Sequence, residues 1–483
     1  MNWIITENNK PINLYDIPCL NINDLRNEII NLDKRVVGFF GQKVSDGVKL
    51  FVVMADDSEG KLYVSSAHFA SGEKSYESLT QTIPAFHMFE REFFDDFGIE
   101  PLHHPWLKPV RDHKKEYPFF EIEGEEIHQV GVGPIHAGVI EPGHFRFMCN
   151  GEKVYDLEIR LGYQSRGVEE LFISSPSNQL AESVCGDSVI AYNMAYSKAI
   201  EALEGIEVSN RAQIIRTIAL EMERAAIHIG DLGAIAGDTA YLMGASIFGA
   251  TRTLVINTML EICGSRFGRG LITVGGVNYD IDEELSAGML KTFDKVVKDV
   301  KRTTETMLKS PTVISRLERT GVVSQEQAKS LGLVGMAAKA SGIGLDTRFD
   351  FPDKWYAEFE DKKFKATGDV YSRTRVRYKE IMQSFHIIRK LLAKLPEYKN
   401  EPLCVSQNAK SADKFVVSMT EGWRGEVIHT VITDNNGNIS RYKIKDPSFN
   451  NWYGLAIAVR NNGISDFPLC NKSFNLSYCG NDL

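Results

Sequence analysis

The sequence predicts an α+β fold: a small N-terminal α+β unit, then a mainly helical bundle with a peripheral β-sheet. Three observations predict it. Residues 35–69 alternate apolar and polar side chains around turn signals at Asp46-Gly47 and Asp57-Ser58-Glu59-Gly60, the pattern of an antiparallel meander. Residues 210–232 set Ile214, Ile215, Ile218, Ala219, Met222, Ala225, Ala226 and Ile229 on one broad stripe at helical spacing, with Arg216, Glu223 and Arg224 mostly off it. Residues 403–445 turn β-like again, with a hairpin signal at Asn435-Asn436-Gly437. A chain of 483 residues exceeds the roughly 250–300 residues over which one core grows, so two or more folding units are expected.

In chain order, the meander is followed by a helix-like run over 86–99 that closes at Gly98, a residue suited to the left-handed end of a helix. A charged stretch, 112–129, reads as a linker. The expected division is therefore 1–115, a linker over 116–129, and 130–483. The second unit opens near Val130 with strand-like alternation through Phe145-Arg146-Phe147 and Val154 to Leu161. Helices are expected at 192–203, 248–263, 283–308, 324–330 and 374–395.

Composition excludes several function classes. A net charge of −9 argues against a nucleic-acid partner, which calls for a basic patch. The 7 cysteines are odd in number and scattered, and no signal peptide precedes them, so a reducing cytoplasm is expected rather than a secreted disulfide framework. No stretch reaches the roughly 18 apolar residues of a membrane span; the uncharged 239–251 is too short. Any membrane connection is expected to run through a partner. No GxGxxG follows a strand, which leaves a soluble nicotinamide enzyme without its fingerprint.

The run Glu90-Arg91-Glu92, Asp95-Asp96-Phe97-Gly98-Ile99 and His104-Pro105 resembles the signature of the 30 kDa subunit of respiratory complex I. Two readings of Glu90, Arg91 and Glu92 stand open: an ion-paired helix surface or a docking surface. His103 and His104 read as structural. Four later blocks resemble the large subunit of membrane-bound group 4 nickel–iron hydrogenases and its relative, the 49 kDa subunit of complex I. The first is Gly133-Pro134-Ile135-His136 with Glu141-Pro142-Gly143-His144-Phe145-Arg146-Phe147; the second is Glu158 to Leu171, with Ser165-Arg166-Gly167-Val168-Glu169 where His-Arg-Gly-x-Glu is usual. The third is Cys185-Gly186-Asp187-Ser188, registered on Ala195-Tyr196 and Arg211-Ala212-Gln213. The fourth is the stretch from Asp446-Pro447 through Asp466-Phe467-Pro468 to Ser477-Tyr478-Cys479-Gly480.

The resemblance implies a redox site and damages it at once. In the hydrogenases two CxxC pairs supply four thiolates to nickel and iron; here the four positions are Cys185, Ser188, Ser477 and Gly480. Hydroxyl oxygen and a bare glycine do not replace soft thiolates, so a nickel–iron centre is not expected, and Cys479 stands one residue out of place. The chain also stops at Leu483, without the tail that many nickel–iron hydrogenases remove after nickel insertion. Glu141 falls on the glutamate that hands protons to a metal-bound thiolate, a task that fits a carboxyl whose pKa burial has raised. A cap or an ion pair with Arg146 is the plainer reading. Glu169 falls on a magnesium ligand, or else is a salt-bridge partner. Arg424 falls on the arginine over the metal, with Trp423 in place of proline; it orients an anionic or carbonyl substrate or pairs with Asp346 or Asp238. The quinone residues of complex I are not matched, and His144 and Tyr192, displaced in sequence, are the nearest substitutes. The candidate catalytic set is thus Glu141, His144, Arg424 and Asp238, with Tyr192 and His136 as cofactor-binding candidates.

By that resemblance the chain is expected to be the large subunit of the redox arm of a membrane-bound, complex I-like oxidoreductase. It would hold no cofactor itself, lie on the cytoplasmic face of the cell membrane, and couple electron transfer to ion translocation. The implied partners are a small subunit with a 4Fe–4S cluster, a ferredoxin-like subunit, and antiporter-like and quinone-channel-like membrane subunits. Two alternatives stay open: an inactive scaffold joining these subunits, and a quinone reductase with a non-standard site.

Overall fold

The computed structural model describes residues 2–111, 115–138, 140–360 and 366–483. Strands Arg35–Val44, Gly47–Asp56 and Lys61–Ala70 form the expected antiparallel meander, and Ile4–Thr6 and Cys19–Leu20 both pair with Lys61–Ala70. Successive side chains on a strand point to opposite faces, so Phe39 and Phe40 part company. Phe39 joins Leu25, Ile29, Phe86 and Phe93 under the helices Ile22–Leu32 and His87–Phe97. Phe40 joins Phe51, Val53, Phe415, Val417 and Met419 on the other face. Burial on both faces accounts for the unbroken apolar run Leu50-Phe51-Val52-Val53-Met54-Ala55 inside a strand that would otherwise alternate.

The facing layer is a second antiparallel sheet in the order Ile439–Lys445, Glu426–Thr433, Lys414–Glu421, Ile12–Asn13. Its last strand comes from the beginning of the chain: Asn13 pairs with Lys414 and Ile12 with Phe415. The boundary at residue 115 is therefore crossed by backbone pairing. The hairpin signal sits where expected, with Gly437 at φ 79 and Asp434 accepting from the amides of Asn436 and Asn438 at 2.8 Å.

Behind this sheet lie the helices Val189–Glu204, Asn210–Asp238, Leu242–Cys263, Glu283–Met307 and Val370–Lys394. The Ser209 side chain caps the central helix by accepting from the Ala212 amide, and the helix runs 29 residues, past the stripe that predicted it. It is buried nearly all round. Arg216, Glu221, Glu223, Arg224, His228 and Asp231 are buried as well, each on a polar partner: Arg216 on Glu201 and His228 on Glu380, for example. Lying off the apolar stripe thus meant pairing inside the core, not exposure to solvent.

Two expectations about the junction change. Of the linker, 112–114 lie outside the described residues, and the rest is tethered. Glu158 accepts from the Phe120 amide at 2.8 Å and from the Tyr117 hydroxyl at 3.4 Å, and strand Ile127–Val132 begins inside 116–129 to pair with His144–Asn150. Likewise Glu90, Arg91 and Glu92 form neither an ion-paired surface nor a docking surface, because all three are buried. Glu90 accepts from Ser78, Thr80 and the Leu79 amide; Arg91 lies 4.1 Å over the Trp106 ring; Glu92 pairs with Arg111 and Lys443. His103 and His104 hold Glu77 and the His87 carbonyl.

Candidate functional site

Three chain segments converge behind the C-terminal sheet. The short helix Asn178–Val184 ends at Cys185, and Ser188 begins the helix Val189–Glu204. The turn between strands Lys414–Glu421 and Glu426–Thr433 carries Trp423 and Arg424. The helix Phe467–Phe474 stops at Asn475, a left-handed cap at φ 49, which turns the chain so that Ser477 and Cys479 enter the same space.

Each segment is fixed by its neighbours. The buried Arg224 side chain donates to the carbonyls of Gly422 and Glu421 at 2.9 and 2.6 Å, holding the Arg424 turn. Gly335 passes that turn so closely that a Cβ there would lie 2.2 Å from the Arg424 carbonyl oxygen. Arg111 donates to the carbonyls of Gly480 and Asn481 at 3.0 and 3.1 Å and pins the last turn from the N-terminal unit.

The side chains then sort themselves. Arg424 makes a two-pronged pair with Asp187 at 2.6 and 2.9 Å, donates to the Asn475 carbonyl at 2.6 Å and lies 3.8 Å from the centre of the Trp423 ring. Trp423 in turn donates to the Asp187 carbonyl at 2.9 Å. The expected partners Asp346 and Asp238 are elsewhere: Asp346 pairs with Arg348 and Lys339, and Asp238 pairs with Lys472. Burial works against charge at Asp187, yet the guanidinium keeps its carboxyl below the usual range. Tyr192 bonds Asp446 and lies 3.4 Å from the Cys479 sulfur; burial first, and then the Asp446 charge, pushes its hydroxyl well up.

The four ligand positions do not assemble a four-thiolate set. Cys185 is present. Ser188 is buried at the start of its helix, its amide on the Cys185 carbonyl at 3.2 Å. The Ser477 hydroxyl accepts from the Cys479 amide at 3.1 Å and donates to the Cys479 sulfur at 2.9 Å. Gly480 has no room for a ligand, since a Cβ there would lie 2.7 Å from that of Asp446. Among the described residues no group of three or more His, Cys, Asp and Glu side chains is arranged to hold a metal ion.

Cys479 corrects the sequence reading. One place out of register, it nevertheless points inward: its sulfur lies 2.9 Å from the Ser477 hydroxyl and 3.4 Å from both the Tyr192 hydroxyl and the Asp446 carboxylate. Glu169 stands between two cations, Lys443 at 2.9 Å and Arg441 at 3.2 Å, and accepts from the Ile444 amide at 3.1 Å. Although burial pushes its carboxyl up, these charges hold it at about 2, the environment of a salt-bridge partner rather than of a magnesium ligand. His136 and His144 brace their own loop, on the carbonyls of Gly143 and Gly133 at 2.8 and 3.3 Å, and neither is brought to Tyr192.

Glu141 is exposed at the edge of the site, and Arg146 pairs with Glu121 instead of with it. Loss of hydration, and then the Asp187 charge, raises its carboxyl, partly offset by Arg424. Sequence reasoning passed over Glu223, which accepts from the amides of Ile190 and Ala191 at 2.7 and 3.3 Å, two donors left free where a helix begins. Burial lifts it to about 8. Asp446, capping Pro447–Val459, carried a readable signal, an Asp before Pro-Ser at a helix start; Asp187 carried none.

The family signature of the respiratory-chain NADH dehydrogenase, 49 Kd subunit, matches residues 238–415 and 402–482, and that of the 30 Kd subunit matches 38–118. The chain is 29% identical over 440 residues to hydrogenase-4 component G of Escherichia coli K12, covering 85% of this chain and 76% of that one. It is 30% identical to the membrane-bound hydrogenase subunit alpha of Pyrococcus furiosus, over 72% of this chain and 85% of that one. The solved membrane-bound sulfane sulfur reductase, an archaeal respiratory membrane complex, has a chain of the same fold: TM-score 0.67 at 21% identity, over 76% of this chain and all of that one. The chain therefore belongs to the family that joins the 49 kDa subunit of respiratory-chain NADH dehydrogenase with the large subunits of group 4 hydrogenases, and it carries a 30 kDa-type domain in front.

Proposed function

We propose that this chain is the large subunit of the redox arm of a membrane-bound, complex I-like oxidoreductase, working without a nickel–iron centre. The observation that carries the reading is the fate of the four ligand positions: one sulfur, a buried serine at a helix start, a serine bonded to Cys479, and a glycine closed off by Asp446. The Arg424–Asp187 pair stands beside them. The chain has no cysteine set for a cluster of its own, so electrons arrive from a small subunit with a 4Fe–4S cluster and a ferredoxin-like subunit. Antiporter-like and quinone-channel-like subunits hold the assembly to the cytoplasmic face of the membrane and couple the reaction to ion movement. Among the described residues no helix is long and apolar enough to cross a membrane.

In this reading Glu141 moves the proton. A carboxyl raised by partial burial and the nearby Asp187 charge holds a proton at higher pH than an ordinary glutamate, and its position at the edge lets it exchange with water. Glu141→Gln in the purified complex should slow electron transfer about 100-fold, the lower end of general acid–base effects. It should also remove the limb on which the rate falls as pH rises above the usual carboxylate range, with cluster content unchanged. An unchanged rate and profile would remove Glu141 from the mechanism.

One observation favours a scaffold instead: Arg424 is fully engaged by Asp187, the Asn475 carbonyl and Trp423, which leaves no hydrogen-bond fork aimed at a substrate. Full electron transfer with alanine at both Glu141 and Arg424 would support that second reading.

A further inference from the structure

Two thiols meet in the site. Cys185 and Cys479 both lie against the Ser477 hydroxyl, at 3.5 and 2.9 Å, so a single hydroxyl holds the two sulfurs beside it. Each faces its own carboxylate, Cys185 donating to Asp187 at 3.3 Å and Cys479 to Asp446 at 3.4 Å. A guanidinium nitrogen of Arg424 stands 3.6 Å from the Cys185 sulfur, where negative charge develops if that sulfur becomes a nucleophile. A pair of sulfurs, a proton acceptor for each and one fixed cation together make the equipment of thiol–disulfide exchange.

We propose that Cys185 and Cys479 form a dithiol–disulfide couple, a two-electron, two-proton redox centre built from the protein's own side chains, whose substrates are small molecules with a sulfur–sulfur bond. The proposal rests on the metal-free reading above, since metal-bound thiolates could not join. Cys185 gives its proton to Asp187 and attacks one sulfur of R–S–S–R; that bond breaks, and the leaving sulfur takes the proton as RSH. Cys479 gives its proton to Asp446 and attacks the Cys185 sulfur; the mixed disulfide breaks, the second RSH leaves with that proton, and the Cys185–Cys479 bond closes. The substrate has gained two electrons and two protons, and the protein has lost them. A reduced iron–sulfur protein returns the electrons, and two protons from solvent restore the thiols.

The test uses the purified complex carrying Cys19→Ser and Cys404→Ser, which removes the exposed thiols, with 2-hydroxyethyl disulfide as the probe. The couple should release two equivalents of mercaptoethanol per chain and yield a Cys185–Cys479 cross-linked peptide in non-reducing mass spectrometry. Adding Cys479→Ala should cut the release to one equivalent and leave mercaptoethanol on Cys185. Adding Cys185→Ala should abolish release. Both thiols remaining reduced, or modified without the cross-link in the parent, would overturn the proposal, and circular dichroism guards against unfolded variants. Nickel measured in the same sample separates the two readings: stoichiometric nickel defeats the metal-free cavity, while a nickel-free sample with two inert thiols defeats the couple alone.

Discussion

At the scale of single residues, the Arg424–Asp187 pair sets the order of the site. The Arg424 side chain is 6% exposed, but that of Asp187 is 40% exposed. Water therefore screens the pair, and Arg424→Ala should cost about 1–2 kcal/mol rather than the 3–5 of a fully buried pair. Urea unfolding of the purified chain measures this. A loss above the buried-pair range would mean that Asp187 is more enclosed than its exposure implies. The arginine itself was legible in Glu421-Gly422-Trp423-Arg424-Gly425, while its partner was not: Asp187 sits on a distant segment, and only the fold brings the two together. Cys479 was hard to place for a related reason, since its partners Tyr192 and Asp446 lie on distant segments.

At the scale of elements, helix periodicity located the five long helices behind the C-terminal sheet but not Ile22–Leu32 or Pro447–Val459, and it did not show where the polar faces go. The central helix is surrounded, so its charged residues had to find partners inside, and the identity of those partners depends on tertiary packing. Glu223 is the sharpest case. Its folded pKa of about 8 lies above the unfolded value of 4.5, so between those two the folded chain holds a proton that the unfolded chain has released. Glu223 thus contributes stability that is complete below pH 4.5 and is lost as pH rises through about 8. Glu223→Gln keeps a carbonyl oxygen for the amides of Ile190 and Ala191. The variant should show a flatter fall in melting temperature over that window than the parent. Parallel profiles would mean that Glu223 is not neutral in the folded chain.

At the scale of the whole molecule, two units read as separate in the sequence are interlocked. The meander and the later β-region were both legible from alternation and turn residues, but the strand Ile12–Asn13 that crosses between them is two residues long and gives no pattern. Their charged contact is buried: Lys443 bridges Glu92 of the first unit and Glu169 of the second at 2.7 and 2.9 Å. Lys443→Met would leave two buried carboxylates with one cation fewer, and should cost about 3–5 kcal/mol. A drop in the urea midpoint at unchanged slope would register it, whereas no drop would mean that Arg111 and Arg441 suffice. Whether this hydrogenase-type large subunit works without a nickel–iron centre is decided by the nickel content of the natively purified complex. Mass spectrometry of the metals should find nickel far below one atom per chain while iron tracks the clusters of the partner subunits. One nickel per chain, retained through gel filtration, would contradict the account.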